Sequence, residues 1–356
     1  MAYTTIDDPS AHFQAVTYTG GGNDSSVTFG GNSDLQLDFL WVKRRDSSDN
    51  SKVFDTSRGI GDGDEPYLTT VSDEQEQTYA YLTSVNSDGF TWDTTDNSTG
   101  ASGNTYVAWG WKANGGTRVT FTESGDNPAG GYQANTTAGF SIVDYVGTGG
   151  AGTVSHGLGV APYVVILKAR DGSDSNEHWR VGHNSMAWTH RMQLNETEAK
   201  TDSDTCFNDT APTSSVFTIG TDNKINTNDE NMIAYVWAPI QGYSKFGSYT
   251  GNGDADGPFV YTGFKPAWTI IKRSDTSNDG WYIHDSTRSP FNQIDKAVRE
   301  NAANAEGGEV IDYVSNGFKH RIGANANFNA DGGTYIYMAF AEEPFVTSTG
   351  IPATAR

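Results

Sequence analysis

The chain repeats itself, and an internal repeat limits the fold more than any local propensity does. Three apolar runs each meet a lysine and, three residues on, an aspartate. LDFLWVKRRD ends at Asp46, APYVVILKARD at Asp171 and PAWTIIKRSD at Asp275, giving the pairs Lys43/Asp46, Lys168/Asp171 and Lys272/Asp275. A Tyr-x-Gly turn precedes each run, at Tyr18, Tyr145 and Tyr249. A second strand-like stretch follows each: KVFDTSR, HWRVGHN and GWYIHDSTR. Then comes a hairpin-like pair: DGFTW with TYVAWGW, SVFTIG with NMIAYVW, NGFKHRIG with TYIYMAF. The shared order predicts three homologous units, with an N-terminal arm at 1–12 that is expected to order only against a partner, modules at 13–113, 140–240 and 241–346, and a C-terminal tail at 347–356. Residues 114–139, rich in Gly and Pro, read as a linker whose VTFT stretch adds a short strand to a neighbour's edge. Units two and three, with almost nothing between them, are expected to form a rigid pair.

Composition decides the fold class. Aromatics reach 12%, charged residues only 19%, and Gly/Asn/Asp/Ser turns separate the apolar runs. That pattern favours strands over helix bundles. The expected fold is all-β: three tandem antiparallel β-sandwich modules, jelly-roll or lectin-like, with Gly/Asp-rich loops. The exception is NQIDKAVRENAANAE (292–306), which has the composition of a helix. A net charge of −21 argues against binding nucleic acid or an anionic membrane through phosphates. No apolar run reaches the ~18 residues of a membrane span. The N-terminus, MAYTTIDDPSAHF, lacks the features of a signal peptide. A single cysteine, Cys206, rules out an internal disulfide framework.

Three sets of residues are candidate sites. The Lys-x-x-Asp pairs recur in every unit, and the plain expectation is structural: the lysine leaves the sheet and the aspartate starts a turn. The tip loops carry Asp46 and Asp49, Asp171 and Asp174, Asp275 and Asp279. Such oxygen-rich loops are candidates for Ca²⁺, although no EF-hand spacing is present and Asx-type turns need the same residues. Trp179, Trp281, Tyr282 and Arg288 are candidate ligand-binding residues, since Trp and Tyr stack on sugars or anchor interfaces; strand aromatics also build cores. His178, His183 and His190 match no zinc motif. The nucleophile elbow, the phosphate-binding glycine loop and the HExxH motif are missing, so no enzyme activity is expected.

The blocks SHGLGVAP with YVVILK, GYSKFGSYTGNGDADGPFVYTGFKPAWTIIKRSD with GTYIYMAFAEEPF, and FGGNSDLQLDFLWVK with TYVAWGWKANGG resemble an uncharacterised repeat-domain family of marine bacteriophage virion proteins. Its members are commonly labelled tail-fibre or structural proteins. The resemblance spans roughly residues 10–346, with 242–275 and 334–345 its most specific parts. Unit one departs from it, having no proline before LDFLWVK and an insertion at 60–78. The resemblance implies a virion surface component for host attachment, with other virion proteins and a host surface glycan or protein as partners, and a homo-oligomer, a trimer above all. A capsid decoration or head-fibre protein is the alternative, and a glycan depolymerase the third. The family carries no catalytic residues onto this chain.

Overall fold

The computed structural model describes residues 2–60, 64–172 and 176–354. These residues are nearly all β, arranged in several antiparallel sheets. One strand order occurs three times. In unit one an opening strand, Phe13–Thr19, lies beside a closing strand, Thr105–Trp111, then an inner strand, Phe39–Arg44, then a return strand, Lys52–Asp55. In unit two the same four places are taken by Phe140–Val146, Asn231–Trp237, Val164–Ala169 and Arg180–His183. In unit three they are Ser244–Thr250, Thr334–Pro344, Phe264–Arg273 and Trp281–Asp285. Register is shared as well: Lys43 lies opposite Val107, Lys168 opposite Ile233 and Lys272 opposite Ile336.

A small sheet accompanies each large one. Ser25–Val27, Gly89–Trp92 and Leu82–Asn86 form it in unit one, Gly152–Ser155 and Val216–Ile219 in unit two, and Phe259–Tyr261, Gly317–His320 and Ile311–Val314 in unit three. The inner strands show why their sequences are unbroken apolar runs. Successive side chains of a strand point to opposite faces, and here both faces are covered. Leu40 and Val42, Val165 and Leu167, and Ile271 face the small sheet of their own unit. Phe39 and Trp41, Val164 and Ile166, and Trp268 and Ile270 face the other way, into one core shared by all three units. Each such buried side chain contributes about 1.5–3 kcal/mol, so the units are not beads on a string. They close around a common axis of tryptophans and branched aliphatics.

The repeated lysines fasten this ring. All three are 0% exposed. Lys43 Nζ donates to Asp49 O at 2.9 Å and Ala302 O at 2.8 Å. Lys168 Nζ donates to Glu177 O and, at 3.1 Å, to Asp73 O. Lys272 Nζ donates to Asp279 O at 2.9 Å and Thr197 O at 3.4 Å. One carbonyl comes from the lysine's own tip loop and the other from a neighbouring unit. Unit one reaches unit three, unit two reaches unit one, and unit three reaches unit two. Tryptophans follow the same cycle: Trp41 Nε1 donates to Glu300 at 2.9 Å, Trp179 Nε1 to Thr69 O at 2.8 Å and Trp281 Nε1 to Gln193 O at 2.9 Å. The expectation that the lysines leave the sheet is therefore corrected, because each turns inward. The aspartates do serve their turns: Asp46 accepts from Thr105 N at 3.1 Å and Asp171 from Asn231 N at 2.6 Å.

Three further expectations change. The VTFT stretch of 114–139 forms the expected short strand, Val119–Phe121, but Gly130–Asn135 is a strand rather than linker and extends the sheet beyond the opening strand of unit two. The N-terminal arm packs on its own chain. Ile6 is buried in the central core, Thr4 Oγ1 donates to Gln241 O at 2.9 Å, and Asp7 accepts from Ser348 N at 2.6 Å. The 292–306 stretch is not a helix: Ala297–Arg299 is a strand pairing with the return strand of unit three, and Glu300 is buried beneath Trp41.

Candidate ligand-binding groove

The residues singled out from sequence are mostly structural. Trp179 and Trp281 are 1% and 3% exposed, with both indoles inside the shared core, so neither offers a face to a ligand from solvent. Tyr282 is half-buried against Phe328, with the Arg299 guanidinium over its ring at 5.9 Å. Arg288 is buried and ion-paired to Asp285 at 2.6 Å. The tip-loop aspartates bind arginines and backbone amides. Asp46 and Asp275 each hold an arginine two residues before them, Arg44 and Arg273, at 2.8 Å. Asp49 and Asp279 lie 3.8 and 3.7 Å from the same two arginines, and Asp171 also holds the Asn231 amide at 2.6 Å. Asp174 lies outside the described residues. Among the described residues no group of three or more His, Cys, Asp or Glu side chains is placed to hold a metal, the three histidines included.

The joints between units carry chemistry that the sequence reading passed over. At the joint of units one and two, Arg58 is buried against Asp55 at 2.5 Å. Tyr235 of unit two donates to Asp55 at 2.7 Å, and Glu76 bridges Arg58 and Arg170 at 3.3 and 2.8 Å. The joint of units three and one repeats this. Arg288 pairs with Asp285, Trp109 Nε1 donates to Asp285 at 3.0 Å, and Glu306 bridges Arg288 and Arg45 at 3.2 and 2.9 Å. The signal was the repeated Asp-x-x-Arg in DTSR and DSTR after the return strands. Unit two has His183 and Met186 at those positions. Its joint with unit three is held instead by His183 Nε2, bonded to Tyr337 O at 3.2 Å. Burial pulls this imidazole down to about 4. An apolar void of about 10 Å³ lies beside it, lined by Trp41, Trp237, Trp268 and Trp281.

Above the same joint an open groove of about 410 Å³ gathers three tyrosines. Tyr163 sits just before the inner strand of unit two; its backbone is pinned on both sides, by Trp237 O and Asn184 N, each at 2.8 Å. Tyr261 ends a strand of unit three's small sheet, and Tyr3 comes from the arm. Tyr163 and Tyr261 are 36% and 47% exposed, unusual for large rings held by so much backbone. Tyr3 Oη donates to Gly263 O at 2.7 Å and lies 3.3 Å from Tyr261 Oη. Burial, then the bond to Tyr261, pushes the Tyr3 hydroxyl up, so it stays a neutral donor. Gly263 has φ +86°, and a Cβ there would lie 2.8 Å from Tyr3 Oη, so this contact needs glycine. Lys245 Nζ donates to Tyr261 O at 2.8 Å and lies 5.0 Å from the Tyr261 ring centroid. An ammonium has three donors, so Lys245 retains capacity for a ligand, and Gln241 on the rim adds an amide. Aromatic faces with a few placed polar groups in a concavity suit a polyhydroxylated ring.

No curated protein matches the chain. A family profile does, over almost its full length: the chain belongs to the domain-of-unknown-function family DUF7483, matched over residues 8–344.

Proposed function

We propose that the protein is a bacteriophage virion surface component that attaches to a host surface glycan, as part of a tail fibre or receptor-binding assembly. The observation carrying this reading is the groove between units two and three, with Tyr163, Tyr261 and Lys245 held by backbone on a rigid ring. Rigid placement lowers the entropy lost on binding, and many copies on one particle turn weak sugar contacts into firm attachment. The virion setting rests on the resemblance of the 242–275 and 334–345 blocks. The role is binding, with no chemical step assigned to any residue. A trimer of the chain would be a trimer of rings, and sedimentation mass distinguishes one chain from three.

The test is a glycan array with the purified protein, followed by titration of the best hit. Tyr163→Ala with Tyr261→Ala is expected to weaken binding at least tenfold while the melting temperature holds. An array with no hit, or a double variant that binds as the parent does, overturns the reading. Capsid decoration is the second reading, favoured by the three similar units about one axis, which suit a three-fold position on a shell. Labelled particles with the protein on the shell rather than the tail would select it.

A further inference from the structure

Two of the joints build the same groove from equivalent parts, and one of the two is already filled. Each groove is bounded by the opening strand of one unit and the residues just after the return strand of its neighbour. At the joint of units one and two, the opening strand Phe140–Val146 is covered by Gly130–Asn135, with Gln133 opposite Ile142. That covering strand is also held by the neighbouring unit. Gln133 Nε2 donates to Ser57 Oγ at 2.8 Å, and its Oε1 accepts from Thr56 Oγ1 at 3.0 Å. At the joint of units three and one the same parts stand open. The opening strand Phe13–Thr19 is the edge of its sheet. Ser286 and Thr287, which follow Asp285 as Thr56 and Ser57 follow Asp55, line a groove of about 490 Å³ beside it. Ala15, Gly30, Gly31 and Ala267 are its small walls, and Thr28, Pro290 and Glu342 also border it.

The edge points into this groove. Lys112 N donates to His12 O at 3.0 Å and Gly20 N to Asn104 O at 2.9 Å, so the even-numbered residues of the opening strand are spent on the closing strand. Ala15 and Thr17 therefore face outward, and Thr287 Oγ1 already donates to Ala15 O at 3.4 Å. Ala15 is the counterpart of Ile142, which lies opposite Gln133 in the filled groove. An edge whose outward amides lack a ladder partner is a template for another strand, and the small walls beside Ala15 leave room for its backbone.

We propose that the groove between units three and one binds an extended segment of another polypeptide as an added antiparallel strand on Phe13–Thr19. The occupant resembles Gly130–Asn135: small residues against the walls, and a Gln or Asn side chain that bonds Ser286 and Thr287. The mode is β-augmentation, with the main chain giving affinity and the amide giving register. The site is distinct from the tyrosine groove, so its failure leaves the glycan reading standing.

The probe is a synthetic peptide of residues 128–137, PAGGYQANTT, added to the intact protein. The expected result is saturable binding with slowed hydrogen exchange at the amides of Ala15 and Thr17. Binding is lost in Ala15→Pro, which removes an outward N–H from an edge strand and is tolerated by the fold there. It falls about tenfold when the glutamine of the peptide is replaced by alanine. A peptide N-methylated at alternate residues cannot form the ladder and should not bind, a control that leaves the protein untouched. No binding at millimolar peptide, protection mapping away from Phe13–Thr19, or equal binding of the N-methylated peptide overturns the proposal.

Discussion

The joint of units one and two and the joint of units two and three are built on one backbone plan, yet they are held differently. The first buries an Asp55–Arg58 pair with Tyr235 and Glu76. The second has His183 and Met186 at the same places and a small void beside them. The lysine-to-carbonyl link is present at both. The repeated backbone therefore sets the ring, and a few side chains decide how tightly each joint is locked. A buried ion pair is costly to break because the charge left behind has no water, so the charged joints should fail abruptly. The histidine joint should be the one that responds to acid.

The largest expected effect breaks a charged joint. Arg288→Met strands Asp285 in the core and should lower the unfolding free energy in urea by about 3–5 kcal/mol. Asp285→His combined with Arg288→Met copies the joint of units two and three and should recover more than half of that loss. If the single variant costs less than about 1 kcal/mol, the contrast between joints is wrong.

Acid comes next. His183 titrates at about 4 in the folded chain against 6.5 unfolded. Below 6.5 the unfolded state binds the proton that the folded state refuses, so stability falls as pH drops from 6.5 towards 4, by up to about 3 kcal/mol from this group. Hydrogen exchange in Arg180–His183 should rise before that in Lys52–Asp55, and His183→Gln should remove this group's share of the dependence, leaving that of the buried His284 and His320. Simultaneous opening of both strands would remove the distinction.

The lysine links should behave alike at all three joints. Lys43→Met, Lys168→Met and Lys272→Met each leave two carbonyls without a donor and should cost about 1–3 kcal/mol. Burial pulls Lys168 and Lys272 down to about 8. Between pH 8 and the ordinary lysine value of 10.5 the unfolded chain holds more protons, so the parent gains stability as pH rises through that window, and the Met variants lose this gain. Chemical denaturation at two pH values checks it. The smallest effect belongs to the tyrosine groove: Tyr163→Ala should change stability by under about 1 kcal/mol, measured by thermal melting, because the ring is exposed.

The β content and the three-fold repetition were legible because strands, turns and the Lys-x-x-Asp ends recur in order. What escaped was the arrangement of the units. An inner strand such as LDFLWVK reads as a buried strand, but sequence does not say that its second face meets two other units. For the same reason Trp179 and Trp281 read as candidate ligand residues, when they are the pieces that plug the ring. The 292–306 stretch was misread because its helix propensity is local, whereas its place is set by pairing with Trp281–Asp285 and by the Trp41 bond to Glu300. The groove tyrosines were invisible because Tyr3, Tyr163 and Tyr261 are far apart in the chain and share no motif.

Lys43 and its acceptor Ala302 stand 259 positions apart. A ribosome adding ~5–20 residues per second leaves roughly 13–50 s between making the two. Throughout that interval the newborn first unit has no third unit against Trp41 and Trp109, and its ammonium lacks the acceptor that completes its burial. A product cut short within unit three, before Ala302, leaves the tryptophan face of unit one uncovered and prone to clump or to be degraded.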